Sequence, residues 1–168
     1  MPEAETLERA RRDKAQGKAP TTQAGEFVRE EIHHIREGKH GARSTKQAIA
    51  IGLSKARRAG VSLPPPPPGS KARTKQSAKS ATRAAKRHRP PSPRRSRAIE
   101  KALKRESRAA ASPEALARQA RQAARRRGPA ARKAAAKKAV RTKGPQVRRA
   151  AARKAAKTRQ RRRRAEKH

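Results

Sequence analysis

The chain is 168 residues long with 50 Lys and Arg against 12 Asp and Glu, a formal net charge of +38. It has one Phe, no Trp, no Tyr and no Cys. Disulfides and cysteine-based zinc sites are thereby excluded, and large side chains are too few to bury one ordinary core across the whole length.

Such a charge balance implies a polyanionic partner. A membrane-surface helix needs Leu, Phe or Trp on its buried face, and the basic half of the chain has almost none. Nucleic acid is therefore expected over lipid. The N-terminal stretch MPEAETLERARRDKAQGK lacks an apolar signal region, and no apolar run approaches the length of a membrane span. The expected setting is the cytoplasm, at a bacterial nucleoid, or the nucleus if the chain is eukaryotic.

The charge divides unevenly. Residues 1–63 carry a net +5 and residues 64–168 a net +33. The divide is Pro64 to Pro68 followed by Gly69-Ser70. Five prolines in polyproline II would extend about 16 Å, a stiff spacer. The expected organisation is a frayed helix in 1–20, a helical-hairpin head in 21–63 and the spacer in 64–70. A disordered basic linker over 71–98 and a basic helical tail over 99–168 complete it. In fold class this is mainly α with extensive disorder, a small αα-hairpin head followed by a conditionally helical tail.

In chain order, residues 2–16 suit a short helix, opened by Pro2 and the acids Glu3 and Glu5. Leu7 is the main apolar residue there, which predicts fraying. In TTQAGEFVREEIHHIREGK, Val28, Ile32 and Ile35 share a helical face with Phe27 adjoining, and Gly38 is a natural stop. In STKQAIAIGLSKARRAG, Ser44 and Gln47 form a capping-box signature. Ile49, Leu53 and Ala56 line one face, Gly52 permits close helix approach, and Gly60 caps the end so that Val61 packs back. Two helices over about 24–37 and 45–59 follow as an αα-hairpin. Its apolar stock is Phe27, Val28, Ile32, Ile35, Ile49, Ile51, Leu53, Val61 and Leu63, small enough that self-association or packing of residues 2–16 is expected to support it.

Beyond the spacer, Ser112, Pro113 and Glu114 make a helix start. Gly128-Pro129 and Gly144-Pro145 are breakers, and the Ala-rich basic stretches after them are alike. Ala favours helix while like charges at i,i+4 oppose it, so phosphate neutralisation is expected to complete these helices.

The tail carries the chemistry. Clustered Lys and Arg release condensed counterions from a phosphate backbone with little regard for base sequence. The expected nucleic-acid contacts are Arg94, Arg95, Arg125, Arg126, Arg127, Arg132, Lys133, Lys137, Lys138, Arg148, Arg149, Arg153, Lys154, Arg161, Arg162, Arg163 and Arg164. The tail has no aromatic platform for stacking single-stranded bases. In the head, Lys39, Arg43 and Lys46 flank a helix N-terminus and are candidate phosphate contacts. His33, His34 and His40 with Glu30 and Glu37 match no standard metal spacing and read as a solvated helix face with His–Glu pairs. No metal or cofactor is expected, and nothing converges as in an enzyme active site.

STKQAIAIGLSKARRAG with the preceding GEFVREEIHHIREGKHGAR resembles a motif of small basic bacterial proteins of unknown function, loosely described as DNA-binding. The tail resembles the Ala-, Lys- and Pro-rich tails of bacterial linker-histone-like proteins. The SPRR at 92–95 is similar to their Ser-Pro-basic-basic turns, which are associated with narrow minor grooves. These resemblances imply sequence-independent binding and compaction of double-stranded DNA. The alternatives are an RNA-binding or ribosome-associated basic protein, and a protein-interaction or oligomerisation module with a solubilising tail.

Overall fold

The computed structural model describes residues 2–87 and 92–165, with Arg162 described by its backbone alone. The fold is mainly α, and among the described residues there is no strand. The elements are α1 (Ala4–Ala15), α2 (Pro20–Arg36), α3 (Thr45–Arg58), α4 (Ala72–Lys86), α5 (Pro93–Lys104), a 3-10 turn (Arg108–Ala111) and α6 (Pro113–Ala165). They form two units, residues 1–119 and 120–168.

The hairpin of the first unit is α2 against α3. Helix α2 starts earlier than the apolar pattern predicts, because Pro20 occupies its first turn with a preset φ. Ser44 caps α3: the Gln47 N–H donates to its hydroxyl at 3.2 Å. The Gln47 side chain reaches back to accept from the Arg43 N–H at 2.9 Å, one residue before the cap. The two helices close tightly at Gly52. A Cβ there would meet Val28 Cα at 2.7 Å and Val28 N at 2.9 Å, backbone atoms that cannot rotate away.

Residues 4–15 differ from the frayed helix the sequence predicts. Helix α1 packs on α2, burying Thr6 and Ala10. The Glu3 N–H donates to the Glu30 carboxylate at 3.1 Å, so an orphan donor at the helix start is satisfied from α2. Arg9 bridges Glu5 and Glu26, the latter at 2.7 Å. Polar anchoring supplies what the lone Leu7 does not.

The boundary at the prolines also changes. The first unit runs on to residue 119. The expected disordered linker over 71–98 is helical in Ala72–Lys86 and again from Pro93; its residues 88–91 lie outside the description. Helix α4 lies against α3 and buries Ala81, which gives this Ala-, Lys- and Gln-containing stretch tertiary support. SPRR at 92–95 forms the first turn of α5, with Pro93 at the position that tolerates a missing N–H, rather than an isolated turn.

Farther on, the 3-10 turn returns to the hairpin. Ala110 and Ala111 join Ile32, Ile35, Ala42 and Ala48 in one apolar cluster, with Val28 and Leu116 against it. The Thr45 hydroxyl donates to the Ala110 carbonyl at 2.7 Å and Arg36 Nε to the Ala111 carbonyl at 2.9 Å. A second cluster holds Ala10, Ala24, Phe27 and Ala56, with Leu7, Leu53, Val61 and Leu63 packed on it. Small side chains let backbones approach, so alanines that bury little area each still build the interior.

The second unit is the larger part of α6. Ser112 caps its first turn, its hydroxyl accepting from the Ala115 N–H at 3.1 Å. The helix is broken twice, at Gly128 (φ 72°) and Gly144 (φ 61°), each followed by Pro. Positive φ is open to Gly, and Pro removes the next N–H, so the pair stops one helix and starts another.

Candidate nucleic-acid interface and the charge cluster of the head

The acids of the head are largely spent on its own cations. Glu3, Glu5, Asp13, Glu26, Glu30, Glu31 and Glu37 all stand in ion pairs. Helix α6 has no such counterweight. Glu114 is its one acid, and from residue 115 to residue 165 there are 21 Lys and Arg and no Asp or Glu. At 1.5 Å per residue this is about one positive charge per 3.6 Å of helix path, against one phosphate per about 1.7 Å of B-DNA.

The two Gly-Pro pairs open a 16-residue repeat, GPAARKAAAKKAVRTK at 128–143 and GPQVRRAAARKAAKTR at 144–159. Every cationic position recurs in register: Arg132 with Arg148, Lys133 with Arg149, Lys137 with Arg153, Lys138 with Lys154, Arg141 with Lys157, and Lys143 with Arg159. The local bonds recur as well. Arg132 Nε donates to the Gly128 carbonyl and Arg148 Nε to the Gly144 carbonyl, at 3.3 and 3.2 Å. Thr142 and Thr158 donate to the carbonyls of Lys138 and Lys154, four residues back. Cations and alanines alternate all round these helices, so they carry no continuous apolar stripe.

The described tail residues expected to touch phosphate are all exposed. Arg94 and Arg95 lie in the first turn of α5, and Arg125 to Arg127, the repeat cations, Arg161, Arg163 and Arg164 lie along α6. The side chain of Arg162 is outside the description.

The head cations expected at phosphate are divided. Lys39 is held by Glu3 at 3.2 Å and Glu37 at 3.1 Å. Its hydrogen bonds to Glu37 and Glu3 raise its pKa. It already has carboxylate partners, while Arg43 and Lys46 stay exposed.

The histidines correct the sequence reading. His33 is exposed and pairs with Glu37, as a solvated face requires. The side chains of His34 and His40 are 13% exposed; His34 meets the Glu3 carboxylate and His40 that of Glu31, rather than Glu30 or Glu37. Spacing alone does not reveal this, because a loop outside helical register, residues 37–44, brings His40 back over α2.

Beneath them lies a charge cluster. The side chains of Glu30 and Glu31 are each 1% exposed. Lys55 Nζ reaches Glu30 Oε1 at 2.9 Å and Glu31 Oε2 at 2.8 Å. Burial pushes the Glu30 carboxyl up, but the Lys55 ammonium, the Glu3 N–H and the Thr6 hydroxyl outweigh it and hold it below its ordinary value. Burial likewise pushes Lys55 down, and the two carboxylates outweigh that and raise it. The Glu31 oxygens have these ion-pair neighbours but no partner in hydrogen-bond geometry.

No helix among the described residues is long and apolar enough to cross a membrane. Residues 11–66, about a third of the chain, match the model of a family of unknown function (DUF6496). The match takes in the C-terminal part of α1, all of α2 and α3, and the first prolines of the spacer. No curated protein and no solved structure matches the chain.

Proposed function

We propose that the chain binds double-stranded DNA without sequence preference and compacts it, acting at the nucleoid of a bacterial cell. The observation that carries this reading is the acid-free run of 21 exposed or helix-borne cations from residue 115 to residue 165, repeated in register across two Gly-Pro breaks. Neutralising phosphates with such a run releases counterions and is indifferent to base sequence. Small Ala side chains between the cations let the helix backbone approach a groove. Single-strand recognition by stacking has no support, since the one aromatic residue, Phe27, is fully buried in the head. Arg94 and Arg95 of α5, with Arg43 and Lys46 of the head, extend the cationic surface.

The test is fluorescence anisotropy of the full chain against duplex DNA of unrelated sequences and against structured RNA, over a range of salt. Neutralising about ten phosphates gives a log K against log salt slope near −9 on duplex DNA. Equal affinity for unrelated duplexes with that slope, and weaker RNA binding, is the expected result. An RNA preference that survives high salt would replace the proposal with an RNA-binding role. Function retained after deletion of residues 120–168 would replace it with a protein-interaction role for the head.

A further inference from the structure

We propose that Glu31, His34 and His40 form a site for one zinc-like divalent cation in the head, independent of the nucleic-acid reading of the tail. One ligand atom from each of the three lies within 4.8 Å of the others. Glu31 and His34 form a Glu-x-x-His pair on the inward face of α2, the i,i+3 spacing that places two ligands side by side. His40 comes from the α2–α3 loop and closes the third side.

The hydrogen bonding prepares these groups as ligands. His40 Nδ1 lies 3.0 Å from the Gly41 carbonyl, which can only accept, so Nδ1 carries the proton. That leaves Nε2 to face Glu31 Oε1, 3.2 Å away. With metal–ligand bonds of about 2.0–2.1 Å, ligand atoms on a tetrahedral zinc ion stand about 3.3 Å apart. The Glu31–His40 separation already matches that edge.

The supporting groups fit as well. Ligating imidazoles are commonly held through their other nitrogen, and ligating carboxylates through their other oxygen. Gly41 holds His40, and Lys55 takes Glu31 Oε2 at 2.8 Å, leaving Oε1 for the ion. Glu3 holds the His34 ring at 2.8 Å. Glu31 is nearly fully buried, and Oε1, the oxygen left for the ion, has no partner in hydrogen-bond geometry. Two imidazoles and one carboxylate favour zinc, cobalt(II) or nickel(II) over calcium and magnesium, and three protein ligands leave a fourth position for water. A bound ion would tie the end of α2 to the loop that leads into α3.

The test uses the full chain stripped of metal by chelator and titrated with zinc chloride by calorimetry. One equivalent is expected to bind, and His34→Ala and His40→Ala are each expected to weaken it at least about tenfold. His33→Ala, which removes the exposed histidine, is expected to bind as the unsubstituted chain does. Ring-nitrogen NMR of the unsubstituted chain gives a reading that no folding defect can mimic. One equivalent of zinc is expected to shift the His34 and His40 nitrogens while those of His33 stay in place. No binding, equal binding by the His34 and His40 variants, or a uniform shift of all three histidines would each overturn the site.

Discussion

Thr45 and Ala110 stand 65 residues apart in the chain, and the threonine hydroxyl donates to the alanine carbonyl at 2.7 Å. The bond ties the first turn of α3 to the 3-10 turn, which lies well beyond the proline run. The hairpin is therefore completed by a segment that composition assigns to the basic tail.

Removing that bond is expected to destabilise the first unit. Thr45→Val keeps the shape but leaves the Ala110 carbonyl without its donor, a loss of about 1–3 kcal/mol. Chemical denaturation of the substituted chain measures it. A fragment of residues 1–119 is expected to unfold at higher denaturant than one of residues 1–66, which lacks Ala110, Ala111 and Leu116. Equal midpoints would mean that the returning segment adds nothing to the hairpin.

Among the described residues, Lys55 is the one lysine paired with both buried carboxylates of α2, Glu30 and Glu31. Lys55→Met is expected to cost about 3–5 kcal/mol, because it strands buried charge. A triple substitution, Lys55→Met with Glu30→Gln and Glu31→Gln, is expected to recover much of the loss. Comparison of the three denaturation curves decides it.

The same cluster sets a pH dependence. Glu30 has a folded pKa below its ordinary 4.5. Its contribution is therefore full above about 4.5 and is lost as pH falls through the lower folded value. Lys55 has a folded pKa above its ordinary 10.5, so its contribution is full below about 10.5 and is lost as pH rises through the higher folded value. A stability plateau between these limits is expected, falling at both ends. The alkaline fall should shrink in the Lys55→Met chain.

Gly52 faces the backbone of Val28 and Phe27. Gly52→Ala is expected to push α3 off α2 and cost about 1–3 kcal/mol, even though Ala is the better helix former. A rise in melting temperature would mean that the helices separate without penalty.

The Gly-Pro pairs separate helix content from charge. Replacing residues 128, 129, 144 and 145 with Ala is expected to raise helicity by circular dichroism, because both breaks disappear. The cation count is unchanged, so the salt slope of DNA binding is expected to stay the same. A changed slope would mean that the breaks position cations at phosphate.

Much of the hairpin was legible in local sequence. Val28, Ile32 and Ile35 announce one helix face, Ser44 and Gln47 announce the start of α3, and Gly52 announces a close crossing. Capping, periodicity and Gly-Pro chemistry act over a few residues, so the sequence determined them by itself, as it determined the cationic surplus after residue 63. Three things were decided by tertiary structure alone: the anchoring of α1 through Glu3 and Glu30, the return of Ala110 and Ala111 to the hairpin, and the gathering of Glu31, His34 and His40. Each joins groups whose neighbours in the chain give no periodic signal. An alanine that fills a gap looks the same in sequence as one on an exposed helix, and a histidine on a loop acquires its partners only when the loop closes. Those contacts depend on where the backbone returns in space, which the packing of the helices fixes and no short stretch encodes.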